Sequence, residues 1–106
     1  MSATLTIISW RDIPAQVSVK SGRSRAAGEL SPRFQAAIDR AAMNAELAGS
    51  DAYLDEWHRE TRACSEDLEH ELSAEMERLE AAYPPETLNA MAANGGRRPA
   101  EEGASP

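Results

Sequence analysis

The chain has 106 residues, a net charge of −7 and a hydrophobic fraction of 42%, values that suit one small folded domain. Only 5% of the residues are aromatic, so alanine supplies much of the apolar surface and the core is expected to be thin. The single cysteine excludes an intrachain disulfide framework. No stretch approaches the ~20 apolar residues of a membrane span, and no signal-peptide pattern is visible, so the expected location is cytoplasmic.

Charge is distributed unevenly along the chain. Five basic and two acidic side chains give residues 1–33 a charge of +3, whereas six basic and sixteen acidic ones give residues 34–106 a charge of −10. A basic head and an acidic body could steer a polar partner. The simpler interpretation, a solvated surface, stays open.

The first thirty residues predict a β-hairpin or a three-stranded antiparallel meander. Residues 4–10 are rich in β-branched side chains, and residues 15–20 alternate between apolar and polar, as half-buried strands do. A polar turn containing Pro14 separates them. Residues 25–30 can add a third strand, which a hairpin needs because two strands alone are marginal in water. The strands therefore lie within about residues 4–30.

The remainder of the chain predicts acidic helices. Serine followed by proline at Ser31-Pro32 is a strong helix start. An unbroken helix over residues 51–83 would be roughly 50 Å long at 1.5 Å per residue, too long for so small a domain, so we expect a break near residues 62–65. The expected helices cover about residues 32–48, 51–62, 66–83 and 86–93.

Together these elements predict an α+β fold in which the hairpin or meander packs on two to three helices. We expect one domain over residues 1–94. Residues 95–106 contain no apolar anchor and are predicted to form a disordered tail.

No arrangement of residues points to catalysis or metal binding. His58, Cys64 and His70 are spaced by six, so on one helix they cannot share a face. No glycine-rich phosphate loop or nucleophile elbow is present. We therefore predict no catalytic residue, no metal site, no cofactor and no enzymatic activity.

Four basic side chains cluster around one turn and a helix start: Lys20, Arg23, Arg25 and Arg33. Phosphate binding requires several such charges. The acidic body repels polyanions, however, and no aromatic stacking platform accompanies the basic turn. We predict neither a nucleic-acid partner nor a membrane partner.

The predicted hairpin tip is a compact recognition patch, because Trp and Arg are over-represented at energetic hot spots of interfaces. In the alternative interpretation, Trp10 lies in the core while Arg11 and Asp12 satisfy each other and the turn. The sequence leaves both open. The predicted binding residues are Trp10, Arg11, Asp12, Ile13, Gln16, Arg23 and Arg33.

Several blocks of the sequence, residues 8–17, 22–23, 30–43 and 51–57, resemble the bacterial "virulence factor" domain, as found in the staphylococcal conserved virulence factor C. The resemblance covers about residues 4–60. The family name implies an association with a phenotype, and it brings no activity or catalytic residue to this chain. It also implies a link of some members to folate and corrinoid one-carbon metabolism.

Three functional hypotheses follow. The first is a protein-interaction module or an accessory or regulatory subunit of a bacterial cytoplasmic complex, binding a protein through the Trp10–Gln16 tip or the Leu68–Tyr83 helix face. The alternative, which rests on the resemblance, is a small accessory subunit of a folate or corrinoid one-carbon enzyme that contributes to a cofactor or substrate site. The third is a homodimer formed through helices.

Overall fold

The computed structural model describes residues 3–98. The strands are β1 (Ala3–Trp10), β2 (Ile13–Ser21), β3 (Ser24–Glu29) and β4 (Trp57–Cys64), and the helices are α1 (Pro32–Asn44), α2 (Asp51–Asp55), α3 (Leu68–Ala82) and α4 (Pro85–Ala93). The strands form one antiparallel sheet in the order β3-β2-β1-β4. The predicted α+β class and the three-stranded meander are confirmed, and a fourth strand extends the sheet.

Two-residue loops connect the first three strands. The first loop residue has a positive φ in both cases, 53° at Arg11 and 58° at Gly22. Glycine adopts this conformation without steric cost, whereas a residue with a Cβ atom is strained there. The loop at Gly22 is therefore favoured locally, and the loop at Arg11 depends on contacts from elsewhere in the fold.

One face of the sheet, the inner face, packs against α3. Leu5, Val17 and Val19 point toward this helix and are fully buried. Gly28 allows close approach on β3, because a Cβ atom at this position would lie 2.6 Å from the Sδ atom of Met76 on α3. Burial of this small apolar cluster holds α3 against β2 and β3.

Helices α1 and α4 pack against each other and close the end of the core that contains Trp10. Helix α1 begins at Pro32, with Ser31 as its N-cap residue. Its buried stripe follows the helical spacing of Phe34, Ile38 and Ala41. The helix ends at Asn44, four residues before the predicted end.

The predicted helix over residues 51–62 is wrong beyond Asp55. Residues 57–64 form β4, which pairs with β1 from Trp10 opposite Trp57 to Ala3 opposite Cys64. Pairing along the whole of β1 outweighs a weak local preference for helix. The chain leaves the strand at Cys64 and begins α3 at Leu68, where the Asp67 side chain accepts a hydrogen bond from the His70 amide. The expected break within a helix is thus a change from strand to helix.

The predicted disordered tail is wrong for residues 95–98. Gly96 accepts a hydrogen bond from the Asp12 amide at 2.9 Å, and the amide of Arg98 donates to the Asp12 carboxylate at 2.8 Å. Residues 99–106 lie outside the described residues. Within residues 3–98, no helix is both long enough and apolar enough to cross a bilayer.

Candidate interaction surface

Trp10 belongs to the core. Its side chain is 0% exposed, its indole Nε1–H donates to the carbonyl oxygen of Tyr53 at 2.8 Å, and its ring stacks on the Tyr53 ring with centroids 5.5 Å apart. Gly96 covers the other parts of the indole so closely that a Cβ atom there would lie 2.7 Å from Cζ3. Of the two interpretations of Trp10, the structure therefore supports the core residue.

Arg11 is held by the molecule itself. Its Nη1 donates to the carbonyl oxygen of Gly95 at 2.9 Å, and its Nε forms an ion pair with Glu56 at 3.3 Å. Its guanidinium lies over the Trp10 ring, 5.1 Å from the centroid. With the Asp12 contacts to Gly96 and Arg98, these bonds form a hairpin latch, defined here as Arg11, Asp12, Glu56 and residues 95–98. The latch supplies the contacts that the strained loop requires.

Two further predicted binding residues, Ile13 and Arg33, also make contacts within the molecule. Ile13, expected to be exposed at the tip, is 0% exposed, so that expectation is wrong. Arg33 forms an ion pair with Glu80 at 3.0 Å and donates to the carbonyl oxygen of Tyr83 at 3.1 Å. These contacts tie α1 to the end of α3 and engage the Arg33 guanidinium within the chain.

The predicted docking face Leu68–Tyr83 packs inside the molecule. Leu79 and Tyr83 are buried, and Leu68, Leu72 and Met76 are half-buried against the core. The apolar stripe of α3 is therefore used to cover the inner face of the sheet, and the expectation of a free helix face is wrong.

The opposite face of the sheet is not covered in this way, and we call it the open face. Helices α1 and α4 close its end at Trp10, which lies opposite Trp57 and is buried there. Beyond that end none of the side chains is buried, because α3 packs on the other side, and the name open face refers to this part. Strand register arranges them in three rows across the sheet. The rows are Arg25-Lys20-Thr4-Ala63, Ala27-Ser18-Thr6-Thr61 and Glu29-Gln16-Ile8-Arg59.

One corner of the open face is strongly basic, and we call Lys20, Arg23 and Arg25 the basic corner. Lys20 and Arg25 are direct cross-strand neighbours, and Arg23 lies in the turn between their strands. None of the three forms an ion pair with a carboxylate of the described part of the chain. Like charges directly opposite each other destabilise a sheet, so an acidic group placed here would gain favourable interactions.

A cleft borders the open face at the diagonally opposite end. It measures about 490 Å³ and lies between the sheet and α1. Ile8, Gln16 and the half-buried Trp57 form its sheet side, and Gln35 and Asp39 form its helix side. Trp57 packs edge-on against Tyr53 with ring centroids 6.2 Å apart. An indole of this kind, apolar and carrying one hydrogen-bond donor, is a common anchor in interfaces.

The most buried charge, Glu75, has a structural role. Its carboxylate is 4% exposed and forms ion pairs with Arg78 and, at 3.0 Å, with Arg62. Burial acts to raise the pKa of Glu75, but hydrogen bonds from Arg78 and Arg62 outweigh it and hold the pKa below its ordinary value of 4.5. The ion pair joins α3 to β4.

Cys64 and the groups that could bind a metal ion were predicted to form no site. Burial, followed by the nearby Glu71 charge, raises the pKa of the Cys64 thiol above its ordinary value, which disfavours the reactive thiolate. Within residues 3–98, no three His, Cys, Asp or Glu side chains are placed to hold a metal ion.

The structure thus divides the predicted binding residues into three groups. Trp10 and Ile13 are in the core, Arg11, Asp12 and Arg33 hold elements together, and Gln16 and Arg23 lie on or beside the open face. The outward alternation of Gln16, Ser18 and Lys20 in the sequence indicates one strand of this face. Sequence analysis could not assign Arg59 and Trp57 to this face, because the apolar spacing of β4 resembles that of a helix.

Comparison with known proteins identifies a family. A family model described as "Virulence factor" matches residues 8–92, which include the last three residues of β1 and all of the other strands. No curated protein and no solved structure matches the chain.

Proposed function

We propose that this chain, which belongs to the virulence factor family, is a non-enzymatic protein-interaction module that acts as an accessory or regulatory subunit of a cytoplasmic complex. The protein partner docks on the open face. The observation that carries this proposal is a four-stranded sheet with one face packed against α3 and, on the other face, three rows of side chains of which none is buried.

The chemistry of the open face fits a polar protein surface with acidic groups. Thr4, Thr6, Ser18 and Gln16 offer hydroxyl and amide groups that donate and accept hydrogen bonds. The basic corner and Arg59 add positive charge in a chain whose net charge is −7. Such a local charge steers an acidic partner and fixes its orientation.

The area of the open face indicates how far the partner extends. Four strands about 4.8 Å apart and about six residues long, each rising ~3.4 Å, give about 400 Å². A stable interface buries about 800 Å² on each partner. The partner therefore also covers neighbouring surface, and the cleft with Trp57 is the adjoining concave region.

The proposal differs from the hypotheses based on the hairpin tip and on a one-carbon enzyme. Arg11 and Arg33, two of the predicted binding residues, are engaged within the chain. The side chains of the open face, by contrast, are not buried and are available to a protein partner.

Co-purification with charge-reversal variants tests the proposal. The tagged protein and its Arg25→Glu and Arg40→Glu variants are used to capture partners from native lysate, and stoichiometric partners are identified by mass spectrometry. Arg25 lies in the basic corner, whereas Arg40 lies on α1, where it bonds the exposed Asn89. We expect Arg25→Glu to lose the partner and Arg40→Glu to retain it. Retention by both variants, or the absence of any stoichiometric partner, would contradict the proposal.

A further inference from the structure

Strand β4 is an edge strand with little cover. It pairs with β1 on one side only, and every residue from His58 to Ala63 is exposed. Helix α3 packs over β2 and β3 and does not shield β4. The strand is eight residues long and contains no proline, which would remove a donor from the edge. Its charged side chains, which also protect edges, restrict the registers in which another strand can pair. Its outer row of backbone N–H and C=O groups can therefore accept another strand.

We propose that β4 pairs with β4 of a second copy of this chain, antiparallel, around a twofold axis perpendicular to the sheet. The two four-stranded sheets then become one sheet of eight strands. In this arrangement, both open faces lie on the same side. Directly opposed residues of the two β4 strands must then lie on the same face of the sheet. The open-face residues of β4 therefore oppose open-face residues of the second copy, and its inner-face residues oppose inner-face residues. The open-face residues are Trp57, Arg59, Thr61 and Ala63.

Charge selects one register among those that keep this symmetry. With Thr61 on the axis, Glu60 of each copy opposes Arg62 of the other, which forms two opposite-charge pairs. With Glu60 on the axis, the two carboxylates oppose each other. With Arg59 or Arg62 on the axis, the guanidinium groups of that residue in the two copies oppose each other. Like charges directly opposite are destabilising and opposite charges are stabilising, and registers centred farther along the strand pair fewer residues.

The monomer leaves both members of this pair ready for the contact. Within the described part of the chain, no side chain hydrogen-bonds or forms an ion pair with the Glu60 carboxylate. Arg62 is 52% exposed and reaches Glu75 through Nη2 at 3.0 Å. A guanidinium has five N–H donors, so Arg62 can keep Glu75 and also bind Glu60 of the second copy.

The selected register also continues the rows of the open face across the dimer. Ala63 of one copy opposes Arg59 of the other, so the small side chain of Ala63 leaves space for the longer one. The shared open face then approaches about 800 Å², twice the estimate for one sheet of this size.

Disulfide trapping tests the register directly, in a Cys64→Ser background. Opposing Cα atoms in an antiparallel pair are about 4.5–5.5 Å apart, within the 4.4–6.8 Å range of disulfides. Thr61→Cys should therefore give a covalent dimer of twice the 11.5 kDa chain mass on mild oxidation. Ala63→Cys is the matched control, because Ala63 opposes Arg59 and the two residues at position 63 would be offset by four residues, about 14 Å along the strands, so it should crosslink at least tenfold more slowly.

Sedimentation analysis over a range of concentrations tests the association itself. The unmodified protein should form a dimer, and Glu60→Arg should weaken it at least tenfold, because arginine would then oppose Arg62. Glu29→Arg makes the same charge change on β3, the opposite edge, and should leave the dimer unchanged. A monomer at every concentration, equal crosslinking at positions 61 and 63, or no effect of Glu60→Arg would each overturn the proposal.

Discussion

Arg11 illustrates how a residue that resembles a binding hot spot in sequence serves the fold. It is one of two residues with a side chain that have a positive φ, at 53°, in the described part of the chain. A left-handed conformation costs such a residue roughly 1–2 kcal/mol. Bonds to Gly95 and Glu56 offset this cost. The sequence predicted the turn but not its latch, since both partners are more than forty residues away along the chain.

Arg11→Ala is therefore expected to lower the free energy of unfolding, by about 1–3 kcal/mol, because it removes these bonds and keeps the strain. Arg11→Gly removes the same bonds but relieves the strain, so it should be more stable than Arg11→Ala by about 1 kcal/mol. Chemical denaturation of the three proteins measures both differences. An Arg11→Ala variant as stable as the wild type would return Arg11 to the group of binding candidates.

Glu75 predicts how stability depends on pH. Its pKa in the folded state lies below the ordinary value of 4.5, so the ion pairs with Arg62 and Arg78 contribute stability above that value, and the contribution is lost as the pH falls through the folded pKa. Glu75→Gln should cost about 1–2 kcal/mol at pH 7, and the cost should shrink progressively as the pH falls below 4.5 towards the folded pKa. Urea titrations at pH 7 and at a series of pH values below 4.5 measure this. A cost that stays constant over the series would show that the charge is not the cause.

At the scale of the elements, burial decides what the sequence could predict. The apolar stripe Phe34, Ile38 and Ala41 predicts α1 because that stripe faces the core. Strand β4 carries no such signal, since both of its faces are largely exposed. Its few apolar residues, together with Leu54 and Leu68, instead match helical spacing. Only pairing with β1, a contact between distant parts of the chain, determines that residues 57–64 form a strand.

Close packing of α3 on β3 gives a prediction at this scale. A methyl group at Gly28 would meet Met76, so Gly28→Ala should destabilise the protein by about 1–3 kcal/mol, the usual cost of overpacking. In a Met76→Ala background the space is free, and the same substitution should cost almost nothing. A double-mutant cycle of denaturation free energies measures the coupling. Additive effects would show that α3 does not lie this close to β3.

The whole molecule joins the two ends of its sequence. The hairpin near the start is fastened by residues 95–98, which follow the last helix. Sequence analysis assigned those residues to a disordered tail because they contain no apolar side chain. They bind instead through backbone carbonyl and amide groups, which residue type does not reveal. The two-layer α+β arrangement was predictable, whereas the latch and the position of the open face depend on contacts between distant residues.

Truncation tests the latch as a unit. A chain that ends at Ala93 loses Gly95, Gly96 and Arg98, and should be destabilised by about 2–4 kcal/mol, the sum of a few net hydrogen bonds and packing on Trp10. A chain that ends at Arg98 keeps them and should unfold like the full-length protein. Thermal unfolding of both truncated chains makes the comparison. Equal stability of the two would show that residues 94–98 do not hold the hairpin.

The central claim is that a protein partner covers the open face and leaves the latched hairpin tip unchanged. Hydrogen–deuterium exchange of the protein, alone and with the partner recovered by co-purification, tests it most directly. We predict slower exchange in the turn at residues 20–25 and along β3 and β4 when the partner is bound, with no change at residues 10–13. Slower exchange confined to residues 10–13 or to α3 would contradict the claim.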